Sequence, residues 1–328
     1  MKKTNVVFVG GYGRSGSTII DLLLNRVPGI VAVGELRHTF GRALGDNELC
    51  SCGKPFQSCN YWRMVLAEAF PDGIDRERTH HAMKHFNRMV SLPFLQFPSL
   101  MSAHLREDAK IYRETFAALY AAIAKVSGAD VVVDSTKYPL HGWFLRTMPE
   151  LNLGVMMLVR DPRAVAYSWQ RRRLRPEVHW EKREMPRWSV FRSGLAWDMS
   201  NFLTALLRPG VRNYRVQRYE DFVADPAGEL ADIASFALGK PVKLPSKLFD
   251  EQPHIPHTIA GNPVRIGSEH VKVKDDDEWR NMPLYKRLIV DMVCFAGMLR
   301  HRYPFSIRKS AVASPLRTAG PSRSSYNS

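Results

Sequence analysis

The sequence predicts an α/β fold of the P-loop-like kind, three α/β/α layers with a central parallel sheet, and three observations carry that prediction. A short apolar run, Val6 to Val9, passes through Gly10, Gly11, Gly13 and Gly16 directly into an amphipathic helix. Further short runs rich in β-branched and aliphatic residues recur at 30–33, 130–134 and 153–159, each leading through polar or charged residues to a further segment. Their lack of apolar–polar alternation suits strands buried on both faces, and right-handed crossovers then sandwich the sheet between helices.

The first of these segments reads as an anion site. Its glycines let the backbone turn tightly and aim several N–H groups into one concavity, and the helix beginning near Gly16 adds its positive dipole end. The spacing from Gly11 to Gly16 matches the phosphate loop G-x-x-x-x-G-K-[ST], except that Ser17 stands where that motif has its lysine. The cation sits instead at Arg14. Loss of that lysine argues against ordinary nucleoside triphosphate hydrolysis and leaves the anion cradle intact. A glycine-rich turn without a ligand is the plainer alternative.

With 328 residues and 45% hydrophobic content, the chain can bury a sizeable core. One domain over 1–307 and a disordered Ser/Pro/Arg tail over 308–328 are expected. A formal charge of +15 favours anionic partners, whether a phosphorylated cofactor, a membrane surface or nucleic acid. No apolar run approaches the roughly 20 residues of a membrane span. Met1 to Thr4 lead straight into the first strand, so a soluble, uncleaved, cytoplasmic protein is expected.

Along the chain, Ile30 to Val33 forms a second strand ending in Gly34-Glu35. Strand ends of a parallel sheet face one crevice, which places the Glu35 carboxylate beside whatever the first loop binds; an exposed loop glutamate is the alternative. The segment CSCGKPFQSC, with Cys50, Cys52 and Cys59, offers three thiols without a fourth ligand in sequence. His38 or Cys294 would complete a set only by folding nearby, and structural or incidental thiols are preferred to a metal site. His81 and His85 have helical i, i+4 spacing but lack the glutamate of H-E-x-x-H, so a solvated face is expected. The run from Ser91 to Leu105 is interrupted by Pro93 and Pro98 and is expected to pack irregularly in the interior.

A helix over 107–126 is followed by the strand DVVVD and by Ser135-Thr136-Lys137, which brings a second cation to a strand end. The fourth strand, LGVMMLV, runs into Arg160-Asp161-Pro162, where Asp161 fits an N-cap and Pro162 a first helical turn. Ser168 lies two turns into that helix, so Arg160 and Ser168 can converge on a second phosphate. The basic residues through Arg187 read as a solvated face, and no aromatic interleaving supports nucleic-acid recognition. Trp188, Phe191, Leu195, Met199, Phe202 and Leu206 predict a core-facing stripe. A fifth strand over 212–222, a helix opened by Asp225-Pro226, a long irregular segment over 240–275 and a closing helix marked by Leu284, Leu288, Met292, Phe295 and Leu299 complete the chain.

Together GRSGST at 13–18, LVRDPRAVAYS at 158–168, RYEDFVADP at 218–226 and GNPVR at 261–265 resemble the sulfotransferases that use 3′-phosphoadenosine 5′-phosphosulfate (PAPS), particularly bacterial members and the tyrosylprotein type. The resemblance covers almost everything before the tail. It implies the sulfotransferase fold, with Gly13, Arg14, Ser15, Gly16, Ser17 and Thr18 at the 5′-phosphosulfate and Arg160 and Ser168 at the 3′-phosphate. Arg265 would lie in the late loop closing over the cofactor, with Asp277 and Trp279 beyond it. It further implies Glu35 as general base, Lys137 as a catalytic lysine and Arg14 in place of the family's frequent lysine, with no metal required. The resemblance also implies an acceptor bearing a hydroxyl; apolar and basic residues in the variable segments weakly favour an amphipathic or acidic one and leave peripheral membrane contact open, and no nucleic-acid partner is expected. Two other readings stay open: a P-loop nucleotide or small-molecule kinase, and a non-enzymatic polyanion-binding protein.

Overall fold

The computed structural model describes residues 3–244, 255–266, 273 and 277–306. The expected tail at 308–328 and half of the irregular segment over 240–275 lie outside these residues.

Five parallel strands form one sheet: β1 (Thr4–Gly11), β2 (Ile30–Ala32), β3 (Val131–Lys137), β4 (Leu151–Val159) and β5 (Asn213–Arg218), in the order β2-β3-β1-β4-β5. The fold is α/β. The unbroken apolar run in β1 has the expected cause, since its two faces feed different cores. Val6 and Phe8 point into one with Phe116, Leu119, Trp62 and Phe144, whereas Val7 and Val9 point into the other with Ile20, Leu23, Ile233 and Ala234.

The helices are α1 (Ser17–Leu24), α2 (Asn60–Ala69), α3 (Arg76–Phe86), α4 (Leu92–Gln96), α5 (Ala103–Ser127), α6 (Pro139–Arg146), α7 (Pro162–Gln170), α8 (Val190–Ala205), α9 (Tyr219–Ala224), α10 (Pro226–Leu238), α11 (Leu284–Val293) and α12 (Phe295–Arg300). Residues of α2, α3, α5 and α6 fill the first core, those of α1 and α10 the second, and α7, α8, α11 and α12 enclose a third around Trp197, Val290 and Met298. Asp161 caps α7 by accepting from the Arg163 backbone N–H (2.8 Å), as its sequence position predicts. Among the described residues no helix is long and apolar enough to cross a membrane.

Four expectations are corrected. The stripe of Phe191, Leu195, Met199, Phe202 and Leu206 on α8 faces outward, each residue being 44–57% exposed. The inner face instead carries Ser193, Gly194, Trp197, Asn201 and Thr204: Trp197 fills the third core, whereas Thr204 lies so close to the sheet that a Cβ on Gly10 would meet its Cγ2 at 2.4 Å. The closing helix is two helices broken at Cys294, and Leu284, Met292, Phe295 and Leu299 are likewise exposed. In the run from Ser91 to Leu105, Ser91, Leu95 and Met101 are buried, but Phe97 and Leu100 are exposed. The fifth strand also stops at Arg218, its last pairing with β4 being to Val159, and the chain turns there into α9.

Candidate active site

The loops leaving the carboxyl ends of β1, β2, β3 and β4 open on one cleft of about 830 Å³, a volume within the range of small-molecule sites. Eight cationic side chains line it (Arg14, Arg37, Arg42, Lys137, Arg160, Arg171, Arg173 and Arg175) against two carboxylates, Glu35 and Glu278. Such a wall selects for an anion of several charges.

Gly16 and α1 form one side. Gly16 has φ 94°, and a Cβ there would lie 2.3 Å from the Tyr219 ring, so both backbone and space require glycine. Arg14 also adopts a left-handed backbone (φ 71°). Its guanidinium lies 4.9 Å from the Trp169 ring centroid and bonds Met185 Sδ at 2.7 Å, while Arg160 Nη1 donates to its carbonyl at 3.1 Å. Burial, with Arg173 nearby, lowers the Arg14 pKa to about 10. The first loop and the segment after β4 are therefore in direct contact.

Glu35 is held by its backbone on two sides. Its N–H donates to the Ile259 carbonyl at 2.8 Å, and the Gly34 carbonyl accepts from Ser135 N–H at 2.7 Å. Gly34 (φ 75°) has no room for a side chain, since a Cβ would meet the Ile259 oxygen at 2.4 Å. The Glu35 carboxylate pairs with Lys137 Nζ at 2.7 Å and faces His38 Nε2 at 3.4 Å. Lys137 Nζ also donates to Ser17 Oγ at 2.9 Å, which ties the first loop to Glu35 through one ammonium. Burial raises the Glu35 pKa, but Lys137 and His38 outweigh it and hold the carboxyl well below its usual range. Burial lowers that of His38.

Beneath the pair, Asp134 is fully buried and accepts from Leu36 N–H (3.3 Å), Thr136 N–H (2.9 Å) and Tyr120 OH (2.6 Å), with His141 Nε2 at 3.0 Å. This network fixes the turn after Glu35 to the end of β3. Asp21, buried on α1, accepts from Ser135 Oγ, and burial pushes its pKa up to about 7.

The residues expected at the site separate clearly. Gly13, Arg14, Gly16, Ser17, Thr18, Glu35, Lys137, Arg160 and Ser168 all line the cleft. Ser15 does not: it is 1% exposed and its hydroxyl donates to the Tyr12 carbonyl at 2.8 Å. Arg265 is also turned inward, buried, with Nη1 on the Thr258 carbonyl and Nη2 on the Leu49 carbonyl, both at 2.8 Å. It supports the late segment rather than the cleft. Trp279 stacks on Arg163, which is itself paired with Asp161, and Asp277 binds Arg280.

Other cleft residues lay within the predicted solvated face. Arg173 and Arg175 line the cleft, and Arg175 joins Arg42 in pairing with the buried Glu48 and Glu177. Trp188 stacks flat on Trp169 (4.4 Å, 6°) in the cleft wall. Two tryptophans flanking a basic run were the available signal for a walled anion site.

The sequence model of a family described as "Sulfotransferase family" matches residues 6–241, most of the chain and every cleft-forming strand end. The chain belongs to the sulfotransferase family. This sulfotransferase is also similar to a solved sulfotransferase domain from the curacin biosynthetic pathway, with 14% identity, 93% of this chain and 99% of that one covered, and TM-score 0.48. A sulfotransferase from Alicyclobacillus acidocaldarius gives 15% identity, 90% and 97% coverage and TM-score 0.35. Retinol dehydratase in complex with androsterone and inactive cofactor PAP gives 16%, 94%, 84% and 0.39. No curated protein sequence matches significantly.

Proposed function

We propose that this sulfotransferase moves a sulfuryl group from PAPS to an acceptor hydroxyl. The observation that carries the reading is the contact of two anion-type segments in one cationic cleft, Arg160 Nη1 reaching the Arg14 carbonyl at 3.1 Å, with the Glu35–Lys137 pair on the adjoining strand ends. A nucleotide with phosphates at both ends of its ribose requires two such segments. The loop over Gly13, Arg14, Gly16, Ser17 and Thr18 takes the 5′-phosphosulfate, and Arg160 with Ser168 takes the 3′-phosphate.

In the transfer, the acceptor oxygen attacks sulfur in line with the bridging phosphate oxygen. The new S–O bond forms as the S–O bond to that bridging oxygen breaks, and 3′-phosphoadenosine 5′-phosphate leaves. The acceptor proton passes to Glu35, a positioned base of a kind that contributes about 10² to 10⁴-fold. Charge growing on the bridging and sulfuryl oxygens is met by Lys137, Arg14 and the loop amides, donors already in place. Glu35 is a poor base while Lys137 neutralises it. Anionic donor oxygens beside Ser17 draw that ammonium away, and burial then raises the carboxyl's proton affinity.

Calorimetric titration of 3′-phosphoadenosine 5′-phosphate, 5′-AMP and magnesium-ATP into the protein and its Arg160→Ala variant tests the cofactor assignment. Tight binding of the bisphosphate alone, weakened at least tenfold in the variant, is expected. Preference for magnesium-ATP overturns the reading.

A further inference from the structure

The chain carries a second constellation, outside the cleft, that the transfer chemistry does not use. Cys50, Cys52 and Cys59 converge, and the fourth partner is His257, from the late segment and 198 residues beyond Cys59. Neither residue considered from the sequence supplies it: His38 faces Glu35, and Cys294 donates to the Gly194 carbonyl in another core.

We propose that these four side chains bind one Zn²⁺ in a tetrahedral Cys₃His site. Zn–S bonds of about 2.3 Å and a Zn–N bond of about 2.05 Å imply tetrahedron edges of about 3.8 Å between sulfurs and about 3.6 Å from sulfur to nitrogen. Cys52 and Cys59 Sγ lie 3.7 Å apart, Cys50 and Cys59 Sγ 3.9 Å, and His257 Nδ1 lies 3.3 Å from Cys59 and 3.7 Å from Cys50. All four ligand atoms fall within 4.8 Å of one another, and the cysteines are free thiols. A disulfide would require a sulfur pair to close to about 2.05 Å and would strand the third thiol beside the imidazole. Thiolates and imidazole form a soft donor set that suits zinc and excludes magnesium or calcium.

The surroundings orient the ligands. The His257 ring stacks on Tyr61 (4.8 Å, 9°), which fixes the face of Nδ1. The Cys50 N–H donates to the Lys54 carbonyl, closing the turn that carries Cys52, and Ser51 Oγ donates to the Pro256 carbonyl while accepting from Thr258 N–H. Arg265 bonds the carbonyls of Leu49 and Thr258, the residues adjoining Cys50 and His257, and so buckles both ligand-bearing segments from behind. Two residues past His257, Ile259 pairs with Gly34 and receives the Glu35 N–H, and Asn262 N–H donates to Thr18 Oγ1. The zinc is a structural clasp that anchors the late segment against Glu35 and the first loop.

Metal content of the full chain, expressed with zinc supplied, tests the site by mass spectrometry independently of activity or cofactor. About one zinc per chain is expected, lost in Cys59→Ser and His257→Ala and kept in His85→Ala, which breaks the other candidate group of His81, His85 and Asp108. Should the first two variants fail to fold, the wild-type protein still decides: an organomercurial titrating its thiols must release the zinc, and Co²⁺ in its place must show thiolate charge-transfer and tetrahedral d–d bands. Substoichiometric zinc without a cobalt–thiolate spectrum, zinc retained in the folded Cys59→Ser and His257→Ala proteins, or a disulfide among the three cysteines overturns the proposal.

Discussion

Glu35 sits between opposed influences, burial that disfavours its charge and a lysine 2.7 Å away that restores it. Glu35→Gln should keep the affinity for 3′-phosphoadenosine 5′-phosphate and lower kcat by about 10² to 10⁴; unchanged turnover in a radiolabelled transfer assay sinks the base assignment. Because the folded carboxyl is depressed, the pair stabilises the protein above the unfolded glutamate value of about 4.3 and loses that contribution as pH falls through the folded value. Asp21 has the opposite sign. With its pKa raised to about 7, the folded state favours the protonated acid, so its contribution is complete below about 3.9 and is lost as pH rises through 7. Asp21→Asn should therefore gain on the wild type between pH 5 and 8, by at most about 3 kcal/mol, in denaturant midpoints measured across that range. A constant difference would place the burden elsewhere.

At the scale of elements, the ends of the first four strands are legible in the sequence, whereas the fifth reads too long and the partners supplied by the late segment are not legible. Glu35, Lys137 and Arg160 follow apolar runs that only strands explain, and a parallel sheet brings such positions to one edge. The inward turn of Arg265 and the seat of His257 depend on contacts across about two hundred residues, and periodicities of two or 3.6 residues carry no record of these. The outward stripe of α8 misled for a physical reason: strong hydrophobicity marks a face, whereas close helix–sheet packing selects small residues. The turn between β1 and α1 depends on Gly16, pressed against Tyr219 with a positive φ. Gly16→Ala should lose at least tenfold in bisphosphate affinity and about 1–3 kcal/mol of stability, read by calorimetry and chemical unfolding.

Across the whole molecule the charge is +15, and the cleft shares that sign: eight cations line it, two of them paired with the buried Glu48 and Glu177, against the lining carboxylates Glu35 and Glu278. If PAPS is the donor, as proposed, its apparent KM should rise with added potassium chloride while kcat changes little, since screening weakens encounter and binding more than a buried transfer step. A flat salt dependence would mean that local hydrogen bonds, not the field, set donor affinity. The single ammonium shared by Ser17 and Glu35 also constrains the order of events. On the proposed reading, an acceptor arriving first meets a carboxylate already neutralised, and the donor's anionic oxygens must first claim the lysine. The enzyme then follows a compulsory sequence, nucleotide before acceptor, which predicts that 3′-phosphoadenosine 5′-phosphate competes with PAPS at every acceptor concentration and is never competitive against the acceptor.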